Sequence, residues 1–396
     1  MTPRHDNDLA IFARTSFRGQ ARPFGIRLPD RRSHMYIIGK TGTGKSTLFE
    51  TLIRHDISAG RGVAVLDPHG DLIERILAWV PAERRPDLIP FDVSDTAHPL
   101  GFNPLSGVLP GKRALAASGL LDTFKKIWAD SWGPRLEHIL RNALLCLFDQ
   151  PDATLADVLR LFDDRTYRRH AAERTGNLQV RHFWLHEFEG YSAYFRAEAI
   201  APVQNKVGAF LANPILNRIL SQPCSSFDVR RVIDESRILL VSLPKGKIGE
   251  DAAALMGALL VSQLGVAALS RAETTEQSRR DFFVYLDEFQ SFTTHALANM
   301  LSELRKYRVG LVLAHQYLAQ LDEGIREAIL GNVGTVIAFR IGAEDAVVLE
   351  REFTPEVTTQ DLVALPNYNI YLRLMVGGVV SRPFSAKSGA TSGDFS

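Results

Sequence analysis

Residues 39–46 read Gly39-Lys40-Thr41-Gly42-Thr43-Gly44-Lys45-Ser46, a complete G-x-x-x-x-G-K-[ST] phosphate-binding loop. The apolar run 34–38 before it predicts a buried strand, and apolar residues over 46–53 recur at helical spacing. In that setting the glycines let backbone N–H groups surround a phosphate, and the positive end of the helix dipole adds attraction. The stretch therefore predicts a nucleoside triphosphate site rather than a glycine-rich turn that binds nothing.

The loop also predicts individual contacts with ATP and Mg²⁺. We expect Lys45 to reach the β- and γ-phosphates and Ser46 to bind the metal ion. The residues expected to bind the nucleotide are Gly39, Lys40, Thr41, Gly42, Thr43, Gly44, Lys45, Ser46 and Thr47.

Composition limits the class of protein. The 396 residues include 46 basic and 45 acidic side chains, so any nucleic-acid surface has to be local. Two distant cysteines, Cys146 and Cys224, indicate a reducing compartment and argue against structural zinc or a disulfide framework. Residues 252–269 come nearest to a membrane span, but polar and glycine residues interrupt them, and the N-terminus has no apolar signal core. We therefore expect a cytoplasmic chain without a membrane span.

The pattern of elements predicts an α/β nucleotide domain made of two segments. Strand and helix signals alternate over 34–108 and return over 235–385, whereas residues 109–234 show helical periodicity and predict an all-helical insertion. Residues 1–33 form an arginine-rich segment with one predicted small strand, and residues 386–396 are small and polar and predict a disordered tail.

Two shorter stretches of the sequence predict further elements of this domain. Leu88–Asp92 predicts a strand that Pro90 would confine to a sheet edge, and two apolar runs about Gly377-Gly378 predict a hairpin.

A second part of the site follows another apolar strand. Phe282–Leu286 leads directly into Asp287 and Glu288, the Walker B arrangement. Asp287 is expected to hold the Mg²⁺ shell and Glu288 to polarise the water that attacks the γ-phosphate. An acidic pair after a strand is also common in solvated turns and at helix N-caps, but the upstream phosphate-binding loop favours the catalytic interpretation.

Three more polar residues are candidates for the same site. Gln316 and Arg340 follow predicted core strands, whose carboxyl ends line the ligand crevice of a doubly wound sheet. Arg305 closes the helix after Walker B, where a cation would in any case complement the helix dipole. We expect Gln316 to sense the γ-phosphate or orient water; an ordinary loop glutamine is the alternative.

These residues, in this order, resemble the HerA-FtsK superfamily of ring-forming P-loop ATPases, and most of all the TraG/TraD-like coupling proteins of conjugation and type IV secretion and their soluble relatives. Besides the loop and Walker B, the resemblance rests on Leu66-Asp67-Pro68-His69-Gly70-Asp71, Phe102-Asn103-Pro104-Leu105, Leu286-Asp287-Glu288-Phe289-Gln290, Ala314-His315-Gln316-Tyr317 and the stretch 339–346.

The resemblance implies a RecA-like motor domain, a homo-hexameric ring and a central channel for DNA or an unfolded polypeptide. It implies that insertion 109–234 corresponds to the all-α domain that reads DNA or partners, and that Arg305 acts across the subunit boundary. Membrane-bound coupling proteins carry N-terminal transmembrane helices, which this sequence lacks, so a separate subunit would have to supply a membrane anchor.

A DNA motor needs a basic surface, for which the sequence offers two candidates. Residues 157–181 contain six arginines against four acids, and 1–33 are also rich in arginine. A solvated helix face explains the first equally well, and docking on a neighbouring subunit explains the second.

Three functions stay open at this stage: an ATP-driven DNA translocase of conjugative transfer or mobile-element mobilisation, a type IV secretion ATPase that moves protein, and a nucleotide-gated scaffold that recruits a relaxase or nuclease. The intact Asp287 and Glu288 count against the scaffold.

Overall fold

The computed structural model of the chain describes residues 8–16 and 21–389. These residues form two compact units. The sheet unit takes in the described residues of 1–90, 231–242 and 271–396, and the helical unit comprises Phe91–Arg230 and Leu243–Ser270.

The strands of the described residues are β1 Leu9–Thr15, β2 Pro23–Arg27, β3 Met35–Ile38, β4 Gly62–Asp67, β5 Leu88–Asp92, β6 Ile238–Ser242, β7 Phe282–Leu286, β8 Val309–His315, β9 Thr335–Ala338, β10 Asn369–Arg373, β11 Met375–Val376, β12 Val379–Val380 and β13 Phe384–Ser388. Eleven of them form one sheet in the order β2-β1-β13-β10-β9-β3-β8-β7-β4-β6-β5, while β11 and β12 pair with each other.

The α-helices of the described residues are α1 Leu28–Arg31, α2 Lys45–Ser58, α3 Asp71–Trp79, α4 Arg113–Ile127, α5 Pro134–Leu147, α6 Asp157–Asp163, α7 Arg165–Arg174, α8 Leu178–His182, α9 Ala193–Ala212, α10 Pro214–Leu220, α11 Val229–Asp234, α12 Lys245–Ile248, α13 Glu250–Ser270, α14 His295–Glu303, α15 Glu323–Asn332, α16 Ala343–Phe353 and α17 Thr359–Ala364.

The central strands of the sheet are parallel. β3 lies between β9 and β8, and the parallel pairing continues from β8 through β7 and β4 to β6. Every residue of β3, β4, β7 and β8 is buried, as expected for strands covered on both faces. The α/β class with a mostly parallel central sheet, expected from the sequence, is confirmed, and β5 with Pro90 lies at one edge as predicted.

The other side of the sheet is antiparallel. The hairpin predicted about Gly377-Gly378 is present as β11 and β12. The expected disordered tail is wrong for residues 386–388, because they belong to β13, which pairs with β10 and with β1. Of the rest of that predicted tail, Gly389 donates its N–H to the Phe12 carbonyl oxygen at 3.4 Å, and residues 390–396 lie outside the described residues.

The helical unit contains more of the chain than the sequence pattern assigned to the insertion. It includes residues 91–108 and also α13, which packs on α4 within the same unit. Gly119 of α4 permits this approach, because a Cβ there would lie 2.2 Å from the Ser262 hydroxyl oxygen.

Helix α13 belongs to the one helical stretch of the described residues, Glu250–Glu273, that is long and apolar enough to cross a membrane. As expected from the sequence it is a buried helix, since 89% of its most apolar window lies inside the protein.

Candidate nucleotide site

Four neighbouring parallel strands end at the same edge of the sheet. The phosphate-binding loop follows β3, Gln316 follows β8, Asp287 follows β7, and Asp67 is the last residue of β4. Since the carboxyl ends of parallel strands form the ligand crevice of an open α/β sheet, this edge is the natural place for a nucleotide.

A pocket of about 420 Å³ opens at this edge in the sheet unit. It brings together the predicted residues Lys45, Ser46, Asp287, Glu288 and Gln316, although Lys45 and Gln316 are far apart in sequence. The remaining lining residues are Thr41, Gly42, Gly44, Thr47, Asp67, His69, Asp71, Leu72, Arg75 and Tyr368.

The phosphate-binding loop needs its glycines for two different reasons. Gly42 and Gly44 have φ values of +75° and +121°, which side-chain-bearing residues rarely adopt. Gly39 is required by crowding instead, since a Cβ there would lie 2.5 Å from the Cβ of Phe339. The loop is also anchored to a neighbouring strand end, because the Lys40 N–H donates to the Arg340 carbonyl oxygen at 2.8 Å.

Lys45 begins helix α2 and folds back over the loop. Its ammonium donates to the carbonyl oxygens of Gly39 and Lys40 at 2.5 and 3.2 Å. Burial lowers the pKa of Lys45, and the carboxylates of Glu288 and Asp287 oppose that shift. The first turn of α2 contains no acidic residue, so its N-terminal N–H groups and Lys45 form an electropositive surface suited to phosphates.

Opposite this surface stand three buried carboxylates. Burial raises the pKa of Asp287 to about 7, and the nearby charges of Asp67 and Glu288 add to the rise. The oxygens of Asp67 accept hydrogen bonds from the backbone N–H groups of His69, Leu72 and Ile73, so this residue also shapes the turn into α3. Asp67 belongs to a motif noted in the sequence, but its place in the site became evident only from the sheet.

The donor set of the pocket fits Mg²⁺ bound together with a nucleotide. Ser46 and Asp287 supply hard oxygen ligands, and Mg²⁺ commonly takes its other ligands from phosphates and water. Within residues 8–16 and 21–389 there is no cluster of three or more His, Cys, Asp or Glu side chains that could hold a metal ion alone. The raised pKa of Asp287 reflects its burial beside other carboxylates, and a cation bound nearby would reduce the repulsion between their negative charges.

Glu288 is held by two glutamines. The Gln316 amide donates to its Oε1 at 3.0 Å, and the Gln290 amide donates to its Oε2 at 2.7 Å. Glu288 itself has φ +47°, a left-handed conformation that non-glycine residues adopt rarely and that is frequent at functional sites. Gln290 was missed as a site residue; its signals in the sequence were its position two residues after the acidic pair and its place at the end of a motif that carries the family resemblance.

The two arginines predicted for the site lie outside the pocket lining. Arg305 is exposed in the turn Leu304–Tyr307, which precedes β8, whereas Gln316 follows the same strand at its other end. The guanidinium of Arg340 donates to the Leu365 carbonyl oxygen at 3.4 Å and to the Asn367 side chain at 2.9 Å. Within one chain, neither arginine faces the carboxylates.

Comparison with known proteins supports this picture. The profile of the central domain of helicase HerA matches residues 18–78, and that of the TraM recognition site of TraD and TraG matches residues 281–351. A search of curated protein sequences gives no match.

Solved structures with the same fold cover nearly the whole chain. The bacterial conjugative coupling protein TrwBΔN70 aligns over 96% of this chain and 89% of its own, with 14% identity and a TM-score of 0.63. VirB4 of Thermoanaerobacter pseudethanolicus aligns over 99% of both chains, also with 14% identity and a TM-score of 0.63. At this identity the likeness concerns the fold, which is the expected RecA-like α/β fold.

One profile match contains the phosphate-binding loop, and the other contains Asp287, Glu288 and Gln316. Together with the motif order noted in the sequence, these two matches support the resemblance of the chain to P-loop ATPases of the HerA-FtsK superfamily, and to the TraG/TraD-like coupling proteins in particular.

Proposed function

We propose that this protein is a ring-forming motor that couples ATP hydrolysis to the movement of DNA, in conjugative transfer or in the mobilisation of a mobile element. The observation that carries the proposal is the pocket in which Lys45 and Ser46 face Asp287, Glu288 and Gln316. Hydrolysis of a nucleoside triphosphate requires a surface that binds the phosphates and, opposite it, a carboxylate fixed in position to activate water.

Each side chain has a distinct role in this proposal. Lys45 and the N–H groups of the loop hold the β- and γ-phosphates, while Ser46 and Asp287 hold Mg²⁺. When bound, Mg²⁺ neutralises charge on the phosphate oxygens. Glu288 accepts a proton from the attacking water, and Gln316 orients that water or contacts the γ-phosphate.

The structural relatives support ATP and Mg²⁺ as the ligands. TrwB has been solved in complex with ADP and Mg²⁺ and with the ATP analogue ADPNP. The ADPNP complex aligns over 92% of this chain and 86% of its own, with a TM-score of 0.64.

Oligomeric assembly completes the proposed site. Hydrolysis of a nucleoside triphosphate is greatly accelerated by an arginine that neutralises charge on the transferred phosphoryl group. Arg305 is exposed and lies outside the lining of its own chain's pocket, and we propose that it serves a neighbouring subunit. A homo-hexamer, as the family resemblance implies, would provide such a neighbour.

The proposed partners and cellular location are based on the same family resemblance. The match to the TraM recognition site of TraD and TraG over residues 281–351 supports a protein partner from a DNA-processing complex, such as a relaxase or nuclease. A cytoplasmic motor that works with a secretion-channel partner is consistent with burial of the most apolar helix inside the protein.

The arginine-rich segment 157–181 does not support the DNA part of the proposal. Arg165 and Arg168 share the carboxylate of Glu189 at 3.2 and 2.6 Å, and Arg169 pairs with Glu173 at 3.1 Å. The other three arginines are also engaged: Arg160 with Asp157 and Asp164, Arg174 with His170, and Arg181 with the Thr175 carbonyl oxygen. These partners favour the solvated helix face over a phosphate-contacting segment.

The second candidate for a DNA-binding surface, residues 1–33, offers fewer available arginines than its composition suggests. Arg31 and Arg32 are bound to Asp56 and Asp281 within the sheet unit. Of the remaining arginines, Arg4 and Arg18 lie outside the described residues. The DNA substrate is therefore proposed on the family resemblance.

The decisive experiment measures ATPase activity of the purified chain with single-stranded DNA, double-stranded DNA and a permanently unfolded polypeptide. We expect DNA to stimulate turnover, and the stimulation to fall steeply between about 50 and 200 mM salt because phosphate contacts release counterions. Lys45→Ala serves as the inactive control.

The other outcomes identify the alternatives. Stimulation by polypeptide and by no DNA would overturn the proposal in favour of a secretion ATPase that moves protein. Slow turnover that no polymer stimulates would overturn it in favour of a nucleotide-gated scaffold.

A further inference from the structure

Among the described residues, Tyr368 is the one phenylalanine, tyrosine or tryptophan that lines the nucleotide pocket, and its backbone is unusually constrained. Its N–H donates to the Thr43 carbonyl oxygen at 2.8 Å, and its own carbonyl accepts from the N–H and hydroxyl of Ser388 at 2.8 and 3.1 Å. These bonds hold it at φ +64°, in the left-handed region that tyrosine rarely adopts. The sheet unit thus fixes this residue directly onto the phosphate-binding loop.

The ring of Tyr368 lies against the loop at Gly44. A Cβ on Gly44 would be 2.9 Å from the Cδ1 and 3.4 Å from the Cε1 of Tyr368. The residue is nevertheless 40% exposed, so part of the ring faces the pocket rather than the core. Phe339, which also contacts Gly44, is fully buried and has no free face to offer.

The strand order places this ring on a definite side of the loop. Asp287, Glu288 and Gln316 follow β7 and β8, which lie on one side of β3. Tyr368 directly precedes β10, which lies on the other side of β3, beyond β9. A triphosphate whose γ-phosphate points towards Glu288 therefore directs its nucleoside towards Tyr368.

We propose that the ring of Tyr368 is the surface on which the base of the bound nucleotide stacks. The proposal rests on the nucleotide-binding part of the proposed function and adds the residue that holds the nucleoside. Stacking on an aromatic face tolerates every base, because each base has a π-face. The site should therefore accept ATP and GTP with similar affinity, with the phosphates supplying most of the recognition.

The test compares three variants at this position. Tyr368→Phe keeps the aromatic ring. Tyr368→Ala removes the ring and leaves another non-glycine residue at the same positive φ. Tyr368→Asn also removes the ring, but asparagine tolerates the left-handed conformation. Calorimetric titration of each variant with Mg·ATP, Mg·GTP and inorganic tripolyphosphate separates contacts to the base from contacts to the phosphates.

We expect Tyr368→Ala and Tyr368→Asn to weaken ATP and GTP binding by about tenfold or more, the size of a typical base–aromatic stack. Tyr368→Phe should stay within about twofold of wild type. Tripolyphosphate affinity should be the same in all four proteins.

Three results would overturn the proposal: unchanged ATP affinity in both ring-deleted variants, an equal loss of ATP and tripolyphosphate affinity in both, or an equal loss in Tyr368→Phe. The second would mean that the ring only shapes the loop. Failure of the wild-type protein to bind either ATP or tripolyphosphate is a separate outcome, since it would contradict the proposed function itself.

Discussion

The Nε2 of Gln316 donates a hydrogen bond to Oε1 of Glu288 at 3.0 Å, which joins the tips of the neighbouring strands β8 and β7. With Gln290 bonded to the other oxygen, Glu288 has an amide donor on each carboxylate oxygen. An amide at the end of one strand thus sets the orientation of the carboxylate proposed to activate water. Any movement of Gln316 towards a bound γ-phosphate would release that oxygen.

Glu288→Gln should separate binding from hydrolysis. The substitution preserves the size of the side chain and removes its ability to accept a proton, so ATP affinity should be retained while turnover falls at least about a hundredfold. ATP titration and steady-state phosphate release measure the two effects. Glu303 is a half-exposed glutamate paired with Lys306; Glu303→Gln is the matched control and should behave like wild type. Normal hydrolysis by Glu288→Gln would mean that another group positions the water.

Gln316 and Gln290 should differ in their effect on catalysis although both bond to Glu288. Only Gln316 lines the pocket, so Gln316→Ala should lower kcat by about tenfold or more, and Gln290→Ala by less than about threefold. ATP affinity should change little in either variant. Equal losses of kcat would show that Gln316 acts only by orienting Glu288 and makes no contact of its own with the phosphate or water.

Arg305 should act on the nucleotide of a neighbouring subunit. Arg305→Ala is expected to bind ATP normally and to hydrolyse it at least about a thousandfold more slowly. Mixed with inactive Lys45→Ala protein, it should recover activity, because hybrid rings contain interfaces with an intact loop and an intact arginine. The adjacent exposed cation provides the control: Lys306→Ala should retain wild-type activity alone. If rings form and mixing restores nothing, Arg340 becomes the arginine to test.

The stability of the fold should depend on pH through His34. This residue is buried, with Nδ1 accepting from the Leu311 N–H at 3.0 Å and Nε2 donating to the Leu301 carbonyl oxygen at 2.9 Å, which requires the neutral ring. Burial, assisted by the positive charge of Arg305 and opposed by the hydrogen bond to Leu301, lowers the pKa of His34 to about 4. The unfolded chain therefore binds an extra proton between about pH 6.5 and 4, so unfolding free energy falls as pH falls through that window.

The expected loss at His34 is about 2–3 kcal/mol at pH 4.5 relative to pH 7. Denaturant unfolding at both pH values measures it. His34→Asn, which tolerates the positive φ of this position, should show a smaller pH dependence by about the same amount, while contributions from other histidines cancel in the comparison. An identical pH dependence in the two proteins would contradict the assignment.

Much of the site was accessible from local sequence. Residues 39–46 and the strand Phe282–Leu286 with its two carboxylates were predicted where the structure has them, because each motif combines one element with the residues next to it. Asp67 and Tyr368 were not assigned to the site, since each reaches it only beside residues that are distant in the sequence. Gln290 was not assigned either, because its bond to Glu288, two residues away, depends on the turn that follows β7. Strand β1 was missed as well, because its pairing with β2 and β13 joins segments near opposite ends of the sequence.

The sequence by itself determined that the chain binds a phosphate group, since eight consecutive residues supply the glycines, the lysine and the helix N-terminus that such a site requires. Tertiary structure alone decided which groups surround that phosphate. The order β10-β9-β3-β8-β7-β4 places Tyr368 on one side of the loop and Gln316, Glu288 and Asp67 on the other. That order depends on which buried strands pair across the sheet, and nothing in the residues of a single strand specifies its neighbours.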